Sequence, residues 1–280
     1  MTILVTGARG KVGRAIVDRL HATGATVRAG SAKPAELAVP AGTETAELVL
    51  DRPDTFDAAL RGVRQVFLYP QPAGIQRLIE AAGAAGVEHV VLLSSSSVLG
   101  PDAEHDPIAE HSLRVEHALA GSGLPHTFLR PDAFASNCLG WARPIGLSLP
   151  VQLAYPDAQI APIHPADLAD LAVAALTGSP LTGRSVLLTG PEVLTFREQL
   201  AILADAVGRE IPVERITRAE AERQMSGYLP ARMATALLDL WEAADRAPAT
   251  IADTTDSLLG RPARTFRQWA TEHAAAFTAH

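Results

Sequence analysis

Thr6-Gly7-Ala8-Arg9-Gly10-Lys11-Val12-Gly13 is the stretch on which the fold turns. Before it lies a compact apolar run, residues 2–6, which reads as a buried parallel strand. After it, Val12, Ile16 and Leu20 recur at helical spacing, and Gly24 closes that helix. Glycines between such a strand and helix let the backbone turn sharply, approach a pyrophosphate and pack the helix against the sheet. The helix N-terminus then offers unpaired N–H groups and partial positive charge to the phosphates. A purely structural turn would also want glycines, but the strand-loop-helix setting makes Thr6, Gly7, Arg9, Gly10, Lys11, Val12 and Gly13 candidate dinucleotide-binding residues.

Outward from that loop, strand-like and helix-like segments alternate. Further strands are expected at 25–29, 48–50, 66–69, 89–93 and 126–129, the last stopped by Arg130-Pro131. Helices are expected at 54–60, 75–85 and 113–120. This alternation specifies an α/β fold, a Rossmann-type doubly wound parallel sheet covered on both faces. Beyond residue 135 the rhythm loosens, with Pro144, Pro150, Pro156, Pro162 and Pro165 favouring short strands and loops. A helix at 167–176, a strand at 185–188 and helices at 195–207, 231–244 and 265–277 follow. The expected organisation is a dinucleotide-binding core over 1–135, to which 160–190 returns, with 136–159 and 191–280 forming a smaller, mostly helical substrate-binding cap.

The composition narrows the function. The 280 residues carry 24 Lys and Arg against 31 Asp and Glu, a net charge of −7, with no basic block to coat a nucleic acid. The single cysteine, Cys138, excludes an internal disulfide framework and a cysteine-cluster metal site. No histidine pair has helical metal-ligand spacing with an acid between, so no metal is expected. No apolar run approaches the roughly 18 residues of a membrane span, and the N-terminal run is too short for a signal peptide, so a cytoplasmic protein is expected.

The end of the second strand chooses the cofactor. An NAD site usually places Asp or Glu there for the ribose 2′-hydroxyl. This chain has Arg28-Ala29-Gly30-Ser31-Ala32-Lys33, with no acid until Glu36. Arg28, Ser31 or Lys33 can meet a 2′-phosphate, which favours NADPH over NADH; the alternative is a solvated basic loop. Asp51, taken as ending the third strand, suits the adenine edge, or equally the cap of the next helix.

Together the segments 6–13, Leu50-Asp51, 59–63, 93–100, 116–122, Leu129-Arg130-Pro131, 163–169 and 188–192 resemble the atypical, NmrA-like branch of the short-chain dehydrogenase/reductase superfamily. The resemblance implies a Rossmann fold, a nicotinamide cofactor and a substrate cleft roofed by the C-terminal part. Because ligands sit at the carboxyl ends of the strands, Tyr69 and Pro70 after strand four, and Pro131 and Asp132 after strand six, are expected to wall the nicotinamide.

The chain departs from the superfamily at its catalytic centre, where a Tyr-x-x-x-Lys pair normally supplies the acid. The only lysines are Lys11 and Lys33, and alignment puts Ile108 and Ser112 at the Tyr and Lys positions. Ser95, in the run Ser94-Ser95-Ser96-Ser97, matches the family's serine and can hydrogen-bond a substrate carbonyl, although a serine turn satisfying its own backbone would look the same. His105 and His111 flank the place of the missing acid, and His111 is the weaker catalytic candidate. Trp141 and the segment around Met225 and Tyr228 are candidate apolar walls for a flat aromatic substrate.

Two functions follow. One is an NAD(P)H-dependent ketoreductase of a polycyclic, quinone-like aromatic substrate. It resembles the angucyclinone tailoring ketoreductases of antibiotic pathways, which lack the same pair. The other is a non-catalytic dinucleotide sensor like NmrA itself.

Overall fold

The computed structural model describes residues 1–178, 181–252 and 254–278. In chain order the strands are β1 (Thr2–Val5), β2 (Thr26–Ser31), β3 (Glu44–Glu47), β4 (Val63–Leu68), β5 (His89–Leu93), β6 (His126–Pro131), β7 (Val151–Leu153), β8 (Gln159–Ile160), β9 (Ser185–Leu188), β10 (Leu194–Thr195) and β11 (Val213–Arg215). The helices are α1 (Lys11–Ala22), α2 (Phe56–Leu60), α3 (Ile75–Ala84), α4 (Glu110–Ala120), α5 (Ala142–Gly146), α6 (Pro165–Leu176), α7 (Phe196–Val207), α8 (Arg218–Met225), α9 (Ala231–Arg246), α10 (Thr254–Leu259) and α11 (Phe266–Glu272). They fall into two compact units: 1–105 with 109–131 and 165–187, and 106–108 with 132–164 and 188–280. Residues 279 and 280, at the end of the expected cap, lie outside the described residues.

The first unit holds a seven-stranded sheet in the order β3-β2-β1-β4-β5-β6-β9. It is parallel: Leu4 on β1 registers with Arg28 on one side and Val66 on the other. After their first residues, Thr2 and His89, strands β1 and β5 are wholly apolar because helices cover both faces. One face packs on α2, α3 and α4 through Phe56, Leu60, Leu78, Val115 and Leu119; on the other, α1 packs against α6. After β3 the chain crosses to the far side of β1. The loops leaving β1 and β4 therefore diverge, and a crevice opens at their carboxyl ends.

The second unit contains two small sheets, a parallel β7–β11 pair and an antiparallel β8–β10 pair. Its core is aromatic: Phe266, Trp269 and Phe277 are fully buried beside Phe196, Leu200 and Leu203. Each buried phenylalanine contributes about 1.5–3 kcal/mol. Three helices start with the same device. Thr195 and Glu198 on α7, Thr217 and Glu220 on α8, and Thr265 and Gln268 on α11 exchange side-chain and backbone hydrogen bonds in capping boxes.

Three expected elements differ from those observed. The third strand lies at Glu44–Glu47, not 48–50, because an edge strand with a solvated side needs no apolar run, and Leu48 tucks into the core just after it. Strand β6 runs through Arg130 and Pro131 instead of stopping before them, since a proline at the last position removes no interior ladder bond. The single helix expected at 265–277 ends at Glu272. A 3₁₀ turn follows over Ala274–Phe277 and sets Phe277 edge-on to Trp269. Among the described residues, no helix is long and apolar enough to cross a membrane.

Candidate functional site

The loop after β1 is built for close approach. Gly10 is the N-cap of α1, with no side-chain cap and no acid in the first turn, so the helix's own first turn supplies no anion to its start. Gly10 N–H donates to Gly7 O at 2.9 Å, which folds the loop back on itself. A Cβ on Gly13 would lie 2.4 Å from Gly7 O, so only glycine lets the helix sit this near the loop. Thr6 ties the loop to the end of β4: its N–H donates to Phe67 O, and its Oγ1 accepts from Tyr69 N–H at 2.8 Å. Arg9, Gly10 and Lys11 are exposed and Val12 is half-buried, while the Tyr69 ring stands over Gly7 and Pro70 follows it. These groups gather at the crevice between β1 and β4, where the backbone can receive a pyrophosphate.

The three basic-loop candidates separate. Arg28 is already engaged by other partners. Its guanidinium is bound by Glu44 at 2.7 Å and by the carbonyls of Ala59 and Arg61 at 2.9 and 2.8 Å. It also lies three residues before the end of β2, about 10 Å from the strand's carboxyl edge. Arg28 therefore braces β3 and α2. Ser31, at that edge, is buried and accepts Lys33 N–H at 3.1 Å. Lys33 is exposed and, among the described residues, pairs with the exposed Glu36 at 2.9 Å, a contact that a phosphate can replace. Asp51 sits in the turn after β3, not at the end of a strand. It lines a cavity of about 380 Å³ with Leu50, Pro72, Gly74, Ile75 and Arg77. Gly74 is required there: at φ +67°, its Cβ would lie 1.6 Å from Leu50 O.

At the ends of β5 and β6 the structure adds a cluster with no counterpart in the sequence argument. Glu116 on α4 is buried and accepts Ser94 Oγ–H at 2.5 Å; Arg130 donates to both its carboxylate oxygens at 2.9 and 2.6 Å. This fork joins two strands to one helix, one residue from Ser95 and one from Pro131. A sequence signal existed: Ser112, Glu116 and Leu119 share the buried stripe of α4, where an acid is out of place. Ser95 itself caps the following 3₁₀ turn, accepting Ser97 N–H at 3.2 Å and Ser97 Oγ–H at 2.8 Å. Its own hydroxyl proton is a donor in addition to these accepted bonds. His111 faces solvent in the first turn of α4, and His105 is exposed and bonded to Asp102 at 2.8 Å.

In the second unit, Trp141, Met225 and Tyr228 line one cavity of about 280 Å³, together with Trp241, Gln152 and Gln224. Phe196 lies behind the two tryptophans, edge-on to each at 5.8 and 5.6 Å. Arg218 braces the helix pair around it, donating to Asp239 and Glu242 on α9 at 2.6 and 2.9 Å; Asp239 first, then Tyr155 and Glu222, raise its pKa further above its ordinary value. Cys138 is inert: burial pushes its thiol up, and it donates to Gln199 Oε1. No cluster of metal-ligating side chains occurs among the described residues.

The comparisons with known proteins agree on a class. A family model described as NAD(P)H-binding matches residues 7–178. The chain is 41% identical to (4-alkanoyl-5-oxo-2,5-dihydrofuran-3-yl)methyl phosphate reductase of Streptomyces griseus, over 98% of this chain and 99% of that protein. It is 33% identical to the NAD(P)H azoreductase of Xenophilus azovorans, over 99% of each. The NADPH-dependent quinone oxidoreductase of Escherichia coli, solved with NADPH, superposes with a TM-score of 0.82 at 24% identity, covering 97% of this chain and 99% of that one.

Proposed function

This chain belongs to the NAD(P)H-binding family of NmrA-like atypical short-chain dehydrogenases/reductases and is an NAD(P)H-dependent oxidoreductase; from that premise we propose that it reduces an acceptor whose double bond is conjugated with a carbonyl. A carbonyl of a polycyclic aromatic, quinone-like molecule is the scaffold argued from the sequence. One observation carries the proposal: no Tyr-x-x-x-Lys occurs anywhere in the chain. An isolated ketone receiving hydride builds its charge on one oxygen and needs a nearby acid. A conjugated acceptor spreads that charge, so a single hydrogen bond and correct placement suffice.

NADPH supplies the hydride when bound. The residues of the chain do the rest. The open N-terminus of α1 and the Gly7–Gly10 turn hold the pyrophosphate; Lys33, with Ser31, meets the 2′-phosphate; and Asp51 stands beside the adenine. Ser95 donates one hydrogen bond to the acceptor oxygen. The names of the relatives support this acceptor class. A quinone and an oxo-dihydrofuran bearing an alkanoyl group each set a double bond beside a carbonyl; an azo compound lacks the carbonyl but likewise takes electrons into a delocalised system.

The test is oxidation of NADPH with three acceptors: a polycyclic quinone, an acyl-substituted unsaturated lactone and an isolated aliphatic ketone. Turnover of either conjugated compound without the isolated ketone is the expected result. Equal rates on the isolated ketone would mean that the protein owns an acid after all. No oxidation with any of them would favour the non-catalytic dinucleotide sensor.

A further inference from the structure

We propose that the cavity of the second unit is a binding site for an uncharged acyl limb, a carbonyl carrying an apolar chain. Its place as part of a substrate site rests on the reductase reading above. Three observations point the same way. The walls are Trp141, Trp241, Met225 and the exposed Tyr228, and no charged residue is among the described residues lining it. A phosphate or carboxylate would enter without a counter-charge, at a heavy desolvation cost. The volume, about 280 Å³, falls just below the roughly 300–1,000 Å³ of sites that enclose a whole drug-sized ligand. It suits one limb of a molecule better than an entire polycycle.

The polar groups fix the remaining chemistry. Glu214 accepts from Gln152 Nε2 at 2.7 Å, and a carboxylate can only accept, so Gln152 must turn its amide nitrogen to Glu214. Its oxygen then faces Gln224, whose Nε2 donates to it at 2.7 Å. The acid thereby orients both amides, one through the other. An amide nitrogen carries two hydrogens, and this bond uses one on Gln224. Gln224 therefore keeps one N–H donor at the solvent-exposed rim, which suits a carbonyl oxygen. Gln152, Glu214 and Gln224 are assigned here as specificity residues.

The experiment uses the full chain without cofactor at pH 7, titrated with 2-decanone and with decanoate, and reads tryptophan fluorescence. Of the three tryptophans, two line the cavity and the third, Trp269, is fully buried elsewhere in the unit, so quenching reports the site. The neutral ketone is expected to bind at least about tenfold more tightly than decanoate. Gln224→Leu should weaken the ketone about tenfold and leave the weak decanoate binding as it was. Ala221→Phe, which fills the cavity from α8, should abolish quenching while NADPH binding persists. If that variant fails to fold, Met225→Phe fills the same space without adding a fluorophore. Decanoate binding as tightly as 2-decanone, or a filled variant binding like the parent, would overturn the proposal. Binding as expected with no oxidation of NADPH by any conjugated acceptor would leave the site standing and remove the reductase reading. Turnover without 2-decanone binding would do the reverse.

Discussion

Lys33 and Arg28, two basic residues five apart, have different surroundings, and opposite roles are proposed for them. Lys33→Ala is expected to raise the KM for NADPH about tenfold or more, with little change for NADH, since a charge-assisted bond to phosphate is lost. Arg28→Ala should leave cofactor affinity alone and lower stability instead, because Glu44 and the Ala59 and Arg61 carbonyls lose their donor. A side-by-side titration with both cofactors, plus urea unfolding, checks the pair. At the catalytic end, Ser95→Ala and His111→Ala should each cost less than about 100-fold in kcat, below the usual loss for an essential oxyanion donor. A drop above about 10³ in either, with NADPH affinity intact, would identify a protein acid. These residue-scale roles were only half legible in the sequence. It showed that Ser95 and Lys33 have the right chemistry, but which partners compete for each side chain is decided by residues distant in the chain.

Elements carry two further expectations. The α7 and α8 capping boxes each satisfy helix-end groups twice over, so Thr195→Ala and Thr217→Ala should each lower unfolding free energy by about 1 kcal/mol. The Thr-x-x-Glu spacing was visible in the sequence, because a cap is a contact between near neighbours. The Glu116 fork is different in kind. Removing one partner strands a buried charge, and Glu116→Ala should cost about 3 kcal/mol in urea unfolding, the low end for such a loss because the Arg130 side chain keeps 19% exposure. The double variant Glu116→Leu with Arg130→Met should recover part of it, since two apolar groups replace a desolvated pair. An unrecovered double variant would mean that the fork does more than neutralise itself. Nothing in the spacing of residues 94, 116 and 130 announces that they meet; the parallel sheet and the packing of α4 bring them together.

At the scale of the whole molecule, pH reaches the parallel sheet through His89. It is buried on β5 between Gln65 Oε1 on β4 and Thr127 Oγ1 on β6, at 3.0 and 2.9 Å. Burial first, and the nearby His126 second, push its pKa below the ordinary 6.5. The folded chain therefore stays neutral at His89 where the unfolded chain has taken a proton. Stability should fall as pH drops from 6.5 toward the lowered value, by at most about 1.4 kcal/mol per pH unit from this group. Above 6.5 it should add no pH dependence. His89→Gln should flatten that limb in unfolding curves taken from pH 8 to 5; an unchanged slope would assign it to another group. The sequence by itself determined the strand-helix rhythm, the glycine loop, the missing acid pair and the absence of an acid at the end of β2. Each of these is a matter of local period, backbone sterics or residue identity, and each is complete within a short span of chain. Only the tertiary structure decided that β3 is a polar edge, that Arg28 braces the sheet, that Glu116 holds two strand ends, and that Trp141 and Met225, 84 residues apart by their numbers, share a cavity. Those outcomes depend on which distant groups compete for the same side chain, and that competition exists only once the chain has closed on itself.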